Sequence, residues 1–444
     1  MVQKEIFFHV TVLSNFSRGF DKYANVYCKE NIPESTYPDR FFLLRRDELA
    51  IGVQKATRLL KKLGLPQNRL IALATEIDES LPQSNESNGQ GMFIRSNRIN
   101  LTDLYQFDDD NPIETPLRTL SVEEAMAASL RLLNSELLPY KSIRPRAISF
   151  LPVAIACQAK CQFCFSKASI SSDQSLSKPN LEKAAQWVLH ARQQGAERAV
   201  ITGGGEPTLL PFPSLQQLIA TCAGQFEKIV LITNGHNLAL MPEADRMTQL
   251  EMLSDAGLRV LAISRHHFNA DKNQQLMNLR TPVEALISTW RANHTRWPHL
   301  RLRLICVLQK GGIENDLTLE GYLSWAMTLG VDEICFKELY VSTSVESIYH
   351  NRQANEWSRA HQVSLSLITQ FAERHRFTVE SRLPWGAPIY HGQWLGKPLR
   401  IAAYTEPSLF WERTQGVARS WNVMADGRCY ASLEDRASEI AECQ

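Results

Sequence analysis

Three cysteines, Cys157, Cys161 and Cys164, lie within eight positions of a 444-residue chain that has nine cysteines in all. They stand in the run CQAKCQFCF with the spacing C-x3-C-x2-C. A thiol triplet at this spacing offers soft-metal chemistry, and three readings of it stand side by side. Buried, hydrophobe-like cysteines would not cluster beside Gln158, Lys160 and Gln162. Structural zinc takes four ligands, usually as two close pairs, yet no second pair follows and the nearest downstream histidine, His190, falls in a predicted helix. A [4Fe–4S] cluster accepts three thiolates and leaves one iron open.

Such a loop needs a scaffold, and from about residue 141 the chain supplies a rhythm. RAISFLPVAI reads as a buried strand that runs straight into the triplet. Helical patterns then alternate with short, β-branched strands: RAVIT, KIVLITN, LRVLAIS, LRLRLICVL and DEICFKEL, with FTVESRL read as a last βα unit. Alternation of this kind predicts an α/β fold of parallel βα units with helices over both sheet faces. The architecture expected is a partial (β/α)6 TIM-like barrel or an open doubly wound sheet. In either, chemistry belongs at the C-terminal ends of the strands. Those ends carry GGGEP after the second strand, Asn234 in TNGH after the third, and SRHHFN after the fourth. Arg303 lies inside the fifth strand, Lys310 follows it, and Lys337 and Glu338 close the sixth.

The cysteine triplet after the first strand, joined to GGGEP after the second, resembles the radical S-adenosylmethionine (radical SAM) superfamily over residues 141–390. The resemblance implies that Cys157, Cys161 and Cys164 ligate one [4Fe–4S] cluster and that S-adenosylmethionine chelates the open iron. It implies that Phe163 sits near the adenine. Gly203, Gly204 and Gly205 would let the backbone approach the ligand with exposed N–H groups, and Glu206 would meet its amino group. Asn234 is a candidate polar contact, Ser264 a candidate for the ribose hydroxyls, and Arg265 for the methionine carboxylate. His266, His267 and Lys337 are the candidate catalytic residues, each weighed against a hydrogen-bonded or ion-paired structural role. Cys222, Cys306 and Cys335 read as buried free thiols, with a hydrogen-donor role open for the last two.

Residues 1–140 read as an α+β accessory domain with a strand in EIFFHVTVL, helices at 46–64 and 121–136, and a polar loop at 78–91. Residues 391–444 hold a hairpin, WNVMADGRCYASL, resembling the start of a SPASM or twitch extension. Ser432 stands where that extension has a cysteine, so a lid without a second cluster is expected. Lys and Arg total 48 against 47 Asp and Glu, so composition gives no footprint for nucleic acid or a membrane surface. Neither a signal peptide nor a transmembrane run is evident, and a cytoplasmic enzyme is expected. The resemblance implies reductive cleavage to a 5′-deoxyadenosyl radical, with an electron donor such as flavodoxin or ferredoxin. Its substrate is expected to be a small metabolite of a specialised pathway. A peptide maturase whose N-terminal region binds a leader, and a non-catalytic iron–sulfur scaffold or sensor, remain alternatives.

Overall fold

A computed structural model describes three strands before residue 138. From there it describes every residue except 155, 165–179, 340–356, 359, 408–411, 414, 434–437 and 441–444. The helices expected at 46–64 and 121–136 and the loop at 78–91 lie outside the described residues. The chain divides into two compact units. One comprises Met1–Leu138, Ser342–Ser347 and Pro407–Gln415. Its described part is an antiparallel sheet with β1 (Ile6–Val12) between β2 (Phe41–Arg45) and β3 (Leu70–Glu76).

The other unit comprises Pro139–Val341, Ile348–Glu406 and Gly416–Gln444. A short strand, β4 (Arg144–Pro145), leads into six parallel strands: β5 (Ala147–Leu151), β6 (Arg198–Ile201), β7 (Lys228–Thr233), β8 (Val260–Ser264), β9 (Arg301–Val307) and β10 (Glu333–Lys337). Each neighbours the next in chain order. Helices Leu181–Gln193, Phe212–Ala223, Glu243–Asp255, Val283–Asn293 and Asp316–Leu329 make the crossovers. Caps fix their starts: Asn180 accepts from the Lys183 N–H, and Asn315 and Thr318 form a capping box.

Because the strands are wound in one direction and such crossovers are right-handed, the helices cover one face, not both as the alternation suggested. The side chains sort accordingly. Ala199 and Ile201, Ile229 and Leu231, Leu261 and Ile263, Leu302 and Leu304, and Ile334 and Phe336 join the large core with the helices. Their alternates Val200, Val230, Ile232, Val260, Ala262, Ile305 and Cys335 form a separate small cluster on the opposite face, which carries no helix among the described residues. Period-two alternation in a strand sends neighbours to opposite faces.

FTVESRL is not a sixth crossover strand. It forms β11 (Thr378–Arg382), antiparallel to β12 (Pro388–Trp394), which turns through Leu395 and Gly396 (φ 52° and 73°) into β13 (Lys397–Tyr404). It is β13 that lies parallel to β10. The sheet therefore runs across residue 390 without a break. The expected C-terminal hairpin is present. Here β15 (Trp421–Met424) follows β14 (Val417–Ala418), which pairs with β4, and is antiparallel to β16 (Cys429–Tyr430). Rather than lying over the sheet as a lid, β15 extends it in parallel register with β5, and the Trp187 indole donates to the Gly427 carbonyl at 3.0 Å. The result is a mixed twelve-stranded sheet whose edges are β11 and β17 (Glu439–Ile440).

Candidate active site at the strand ends

The loop that follows β5 carries the cysteine triplet, and the glycine run after β6 is stitched to its leading half. Gly205 N–H donates to Val153 O at 2.7 Å and Glu206 N–H to Ala156 O at 2.8 Å. A Cβ on Gly204 would fall 2.4 Å from Val153 O, and one on Gly205 2.1 Å from Ala156 O. Glycine is needed there because two backbones touch. Gly203 is constrained within the run, since its Cβ would lie 2.0 Å from Gly205 O. The N–H groups of Gly205 and Glu206 are thus spent on the protein's own carbonyls, a use the reading of an exposed ligand cradle did not include.

Glu206 is 3% exposed and binds four protein donors. Its Oε1 accepts from Thr208 N at 3.0 Å, Thr208 Oγ1 at 2.7 Å and Thr233 Oγ1 at 2.5 Å, while Oε2 accepts from Asn234 N at 2.8 Å. The carboxylate expected to meet a ligand amine instead ties the β6 loop to the end of β7, with one bond on Oε2. Asn234 continues the link, its Nδ2 lying 3.1 Å from Gln158 Oε1 and 3.8 Å from Cys157 Sγ. Gln158 Nε2 donates to Asn237 Oδ1 at 2.7 Å, and Asn237 Nδ2 to Thr208 O at 2.8 Å. On the other side, Met277 O, at the end of the helix Ala270–Met277, accepts from Lys160 N at 2.9 Å and faces Cys161 Sγ at 3.9 Å. Cys164 N–H bonds back to Cys161 O at 3.2 Å.

Beyond β8, strand parity separates residues that the sequence grouped together. Arg265 continues the helix-facing row of Ile263 and is 2% exposed. Its Nη2 reaches Phe268 O and Glu284 Oε1, both at 3.3 Å, its guanidinium lies 5.4 Å from the Trp325 ring centre, and its carbonyl accepts from Tyr322 Oη at 2.8 Å. Arg265 is therefore a core cation and not a candidate for a ligand carboxylate on the bare face. Ser264 and His266 share the other parity. His266 Nδ1 accepts from Val307 N–H at 3.0 Å, which puts the neutral ring's proton on Nε2. Burial, helped by the Arg265 charge, pulls its pKa down to about 3. Its edge meets the Phe163 ring at 5.0 Å. His267 turns into its own loop, accepting from Asn269 N at 2.9 Å and stacking on Phe268 at 4.4 Å. Burial, Arg265 and Lys272 lower its pKa.

Lys337 ends β10 in a different group. Its Nζ lies 3.4 Å from Glu406 Oε1 and 4.5 Å from the Tyr404 ring centre, and Glu406 also pairs with Arg419. Arg303 pairs with Glu333, Lys310 Nζ donates to Ala360 O, and Glu338 accepts from Thr405 Oγ1. Cys306 lies in the helix-side core, Cys335 on the bare face, and Cys429 is fully buried under β16. Trp357 went unread in the sequence. Its ring stands 5.9 Å from Phe163 and stacks on His361 at 4.0 Å, an arrangement that no motif or periodicity announces.

The donor chemistry of the loop fits an iron–sulfur cluster: three thiols outside any disulfide, one exposed and two half-buried, within eight residues. Among the described residues no three His, Cys, Asp or Glu side chains stand together as a metal-holding group, so the sulfurs are not converged on one point.

Residues 151–305, from the end of β5 into β9, match the model of the Radical SAM superfamily. No curated protein matches the chain. Among solved structures, coproporphyrinogen III oxidase (HemN) from Escherichia coli, a radical SAM enzyme, is similar at 16% identity and a TM-score of 0.35, covering 57% of this chain and 56% of its own. HydG, a maturase of the [FeFe]-hydrogenase, is similar at 12% identity and 0.33, covering 48% and 46%. Methylornithine synthase (PylB) is similar at 14% and 0.30, covering 44% and 53%. The chain thus spans only about half the length of these three proteins, and none of their activities is carried over. The region holding the cysteine triplet thus resembles a radical SAM domain, and the superfamily it matches works with a [4Fe–4S] cluster and S-adenosylmethionine.

Proposed function

We propose that Cys157, Cys161 and Cys164 hold the cluster, and that the protein activates a C–H bond of a small metabolite at the C-terminal ends of β5 to β8. The observation that carries this reading is the stitched loop pair: the triplet, the glycine run and Asn234 converge within the matched region. When bound, the cofactors supply reductive cleavage of the sulfonium and a radical able to take hydrogen from an unactivated carbon. The chain's own residues do the positioning. Glu206 and Asn234 hold the loops after β5, β6 and β7 in one arrangement, while Phe163, His266 and Trp357 build an aromatic wall beside Cys164. Neutral His266 carries its proton on Nε2 and acts near neutral pH as a hydrogen-bond donor, not as a base. Ser264, whose hydroxyl makes no hydrogen bond among the described residues, stands on the bare face and offers it to the ribose. We further read the parallel core as a partial barrel open to the substrate, with flavodoxin or ferredoxin as the electron donor. Burial of Cys429 supports a single-cluster enzyme and hence the small-molecule reading.

The test is anaerobic reconstitution followed by reaction with dithionite and S-adenosylmethionine. Wild-type protein should gain absorption near ~400 nm and release 5′-deoxyadenosine. Cys161→Ala should lose both, while Cys306→Ala, altered in the helix-side core, should keep both. A Cys161→Ala protein that still cleaves S-adenosylmethionine would overturn the ligand assignment.

A further inference from the structure

On the bare face the apolar cluster gives way, towards the N-terminal ends of the strands, to basic side chains. Arg198 opens β6, Lys228 opens β7, and the two are register partners. Both share strand parity with Val200 and Val230, so both project from the bare face. Arg303 from β9 and Arg400 from β13 have the same parity, whereas Arg146, which immediately precedes β5, has the parity of Ile148 and Phe150 and lies 5.8 Å from the Trp385 ring centre.

The acids nearby are unevenly distributed. Glu333 accepts from Arg303 Nε at 2.7 Å and stands 3.7 Å from Arg400, and Glu380 accepts from Arg400 Nε at 2.5 Å. Those two carboxylates answer Arg303 and Arg400. Glu197 stands 3.7 Å from Arg146 Nε, and Arg146 Nη1 is buried without an acceptor. Among the described residues Arg198 and Lys228 make no hydrogen bond or ion pair, although Arg198 is only partly exposed. Burial lowers the pKa of Arg198, with Arg146 and Arg303 adding to the effect and Tyr404 and Glu197 opposing it. Lys228 is lowered by burial and then by Arg303 and Arg198, against Glu333.

A partly buried guanidinium without an acceptor is unfavourable, and a second cation in register beside it adds repulsion. An oxyanion removes both costs, and the planar fork of arginine matches a phosphate or carboxylate in bidentate fashion. We propose that Arg198 and Lys228 form an oxyanion-binding site on the bare face, at the opposite end of the strands from the cysteine loop, for a ligand bearing a phosphate or carboxylate. At ~3.3 Å per residue, Arg198 lies roughly 16 Å along the chain direction from Gly203. The anionic group therefore anchors a ligand at a distance from the cysteines.

Isothermal titration of the full-length protein with inorganic phosphate, and separately with succinate, tests this. One of the two should bind saturably, and Arg198→Ala should weaken that binding by at least about tenfold, the loss expected for a charge-assisted hydrogen bond. Arg280→Ala, at an exposed pair with Asp271, should leave it unchanged. Thermal unfolding reports whether Arg198→Ala is folded; if it is not, Lys228→Ala, at an exposed position, takes its place with the same expected loss. Absence of saturable binding to either anion, or equal binding by wild type and the folded variant, overturns the site. Because no turnover of S-adenosylmethionine is measured, the outcome is independent of the proposed reaction.

Discussion

The two faces of the central sheet use the same strands for different ends. On the helix-covered face nearly every residue is aliphatic or aromatic, and the side chains join one continuous core with five crossover helices. On the bare face a small apolar cluster lies between basic residues at one end of the strands and the candidate active site at the other. One residue of register separates the two roles. Ser264 has bare-face parity, Arg265 is locked among Glu284, Trp325 and Tyr322, and His266 returns to that face beside Phe163. A face that is packed cannot host ligands, and a face that hosts ligands contributes little packing.

Truncations on the two faces give the largest test of that contrast. Leu304→Ala empties a fully buried position among the helices and should cost about 2–5 kcal/mol, whereas Val200→Ala on the bare face should cost clearly less, both read from denaturant midpoints. Similar losses at both positions would erase the distinction. Next in size is Glu206→Gln. It keeps the shape of the side chain but cannot accept from all four donors, and should cost about 1–3 kcal/mol while loosening the cysteine loop. An unchanged unfolding midpoint would mean that the carboxylate is free for a ligand after all.

The last test, read per pH unit, is a slope from His266. Folded, this ring titrates near 3, against 6.5 when unperturbed, so between those values the unfolded chain binds the proton first. Stability should therefore fall as pH drops below about 6.5, by ~1.4 kcal/mol per pH unit from this group. His266→Asn should flatten that part of the profile; an identical slope in the variant would exclude His266 as its source.

The parallel core was legible because fully buried strands are short and β-branched, and because the chemistry sits where strands end. The cysteine triplet and GGGEP were legible as spacing. Other features were hidden for physical reasons. β12 and β13 alternate polar and apolar residues, so PIYHGQWLGKPLRIAAY carries no continuous apolar run. Arg265 looks like a site residue until its parity is counted against Ile263. The cations of the bare face are scattered over four strands, and only the register brings Arg198 beside Lys228. Trp357 gains meaning only from its distance to Phe163.

The backbone stitch between Val153, Ala156 and the glycine run divides the cysteine loop into a fixed half and an adaptable half. Ordering a residue costs roughly 1–2 kcal/mol of conformational entropy. With Val153 and Ala156 already clamped to the β6 loop, that cost on metal loading falls on the stretch from Cys157 to Cys164, which the Lys160 N–H already ties to Met277 O. The glycines, which offer no side-chain donor to any metal, thereby set how tightly the thiols beside them can grip one.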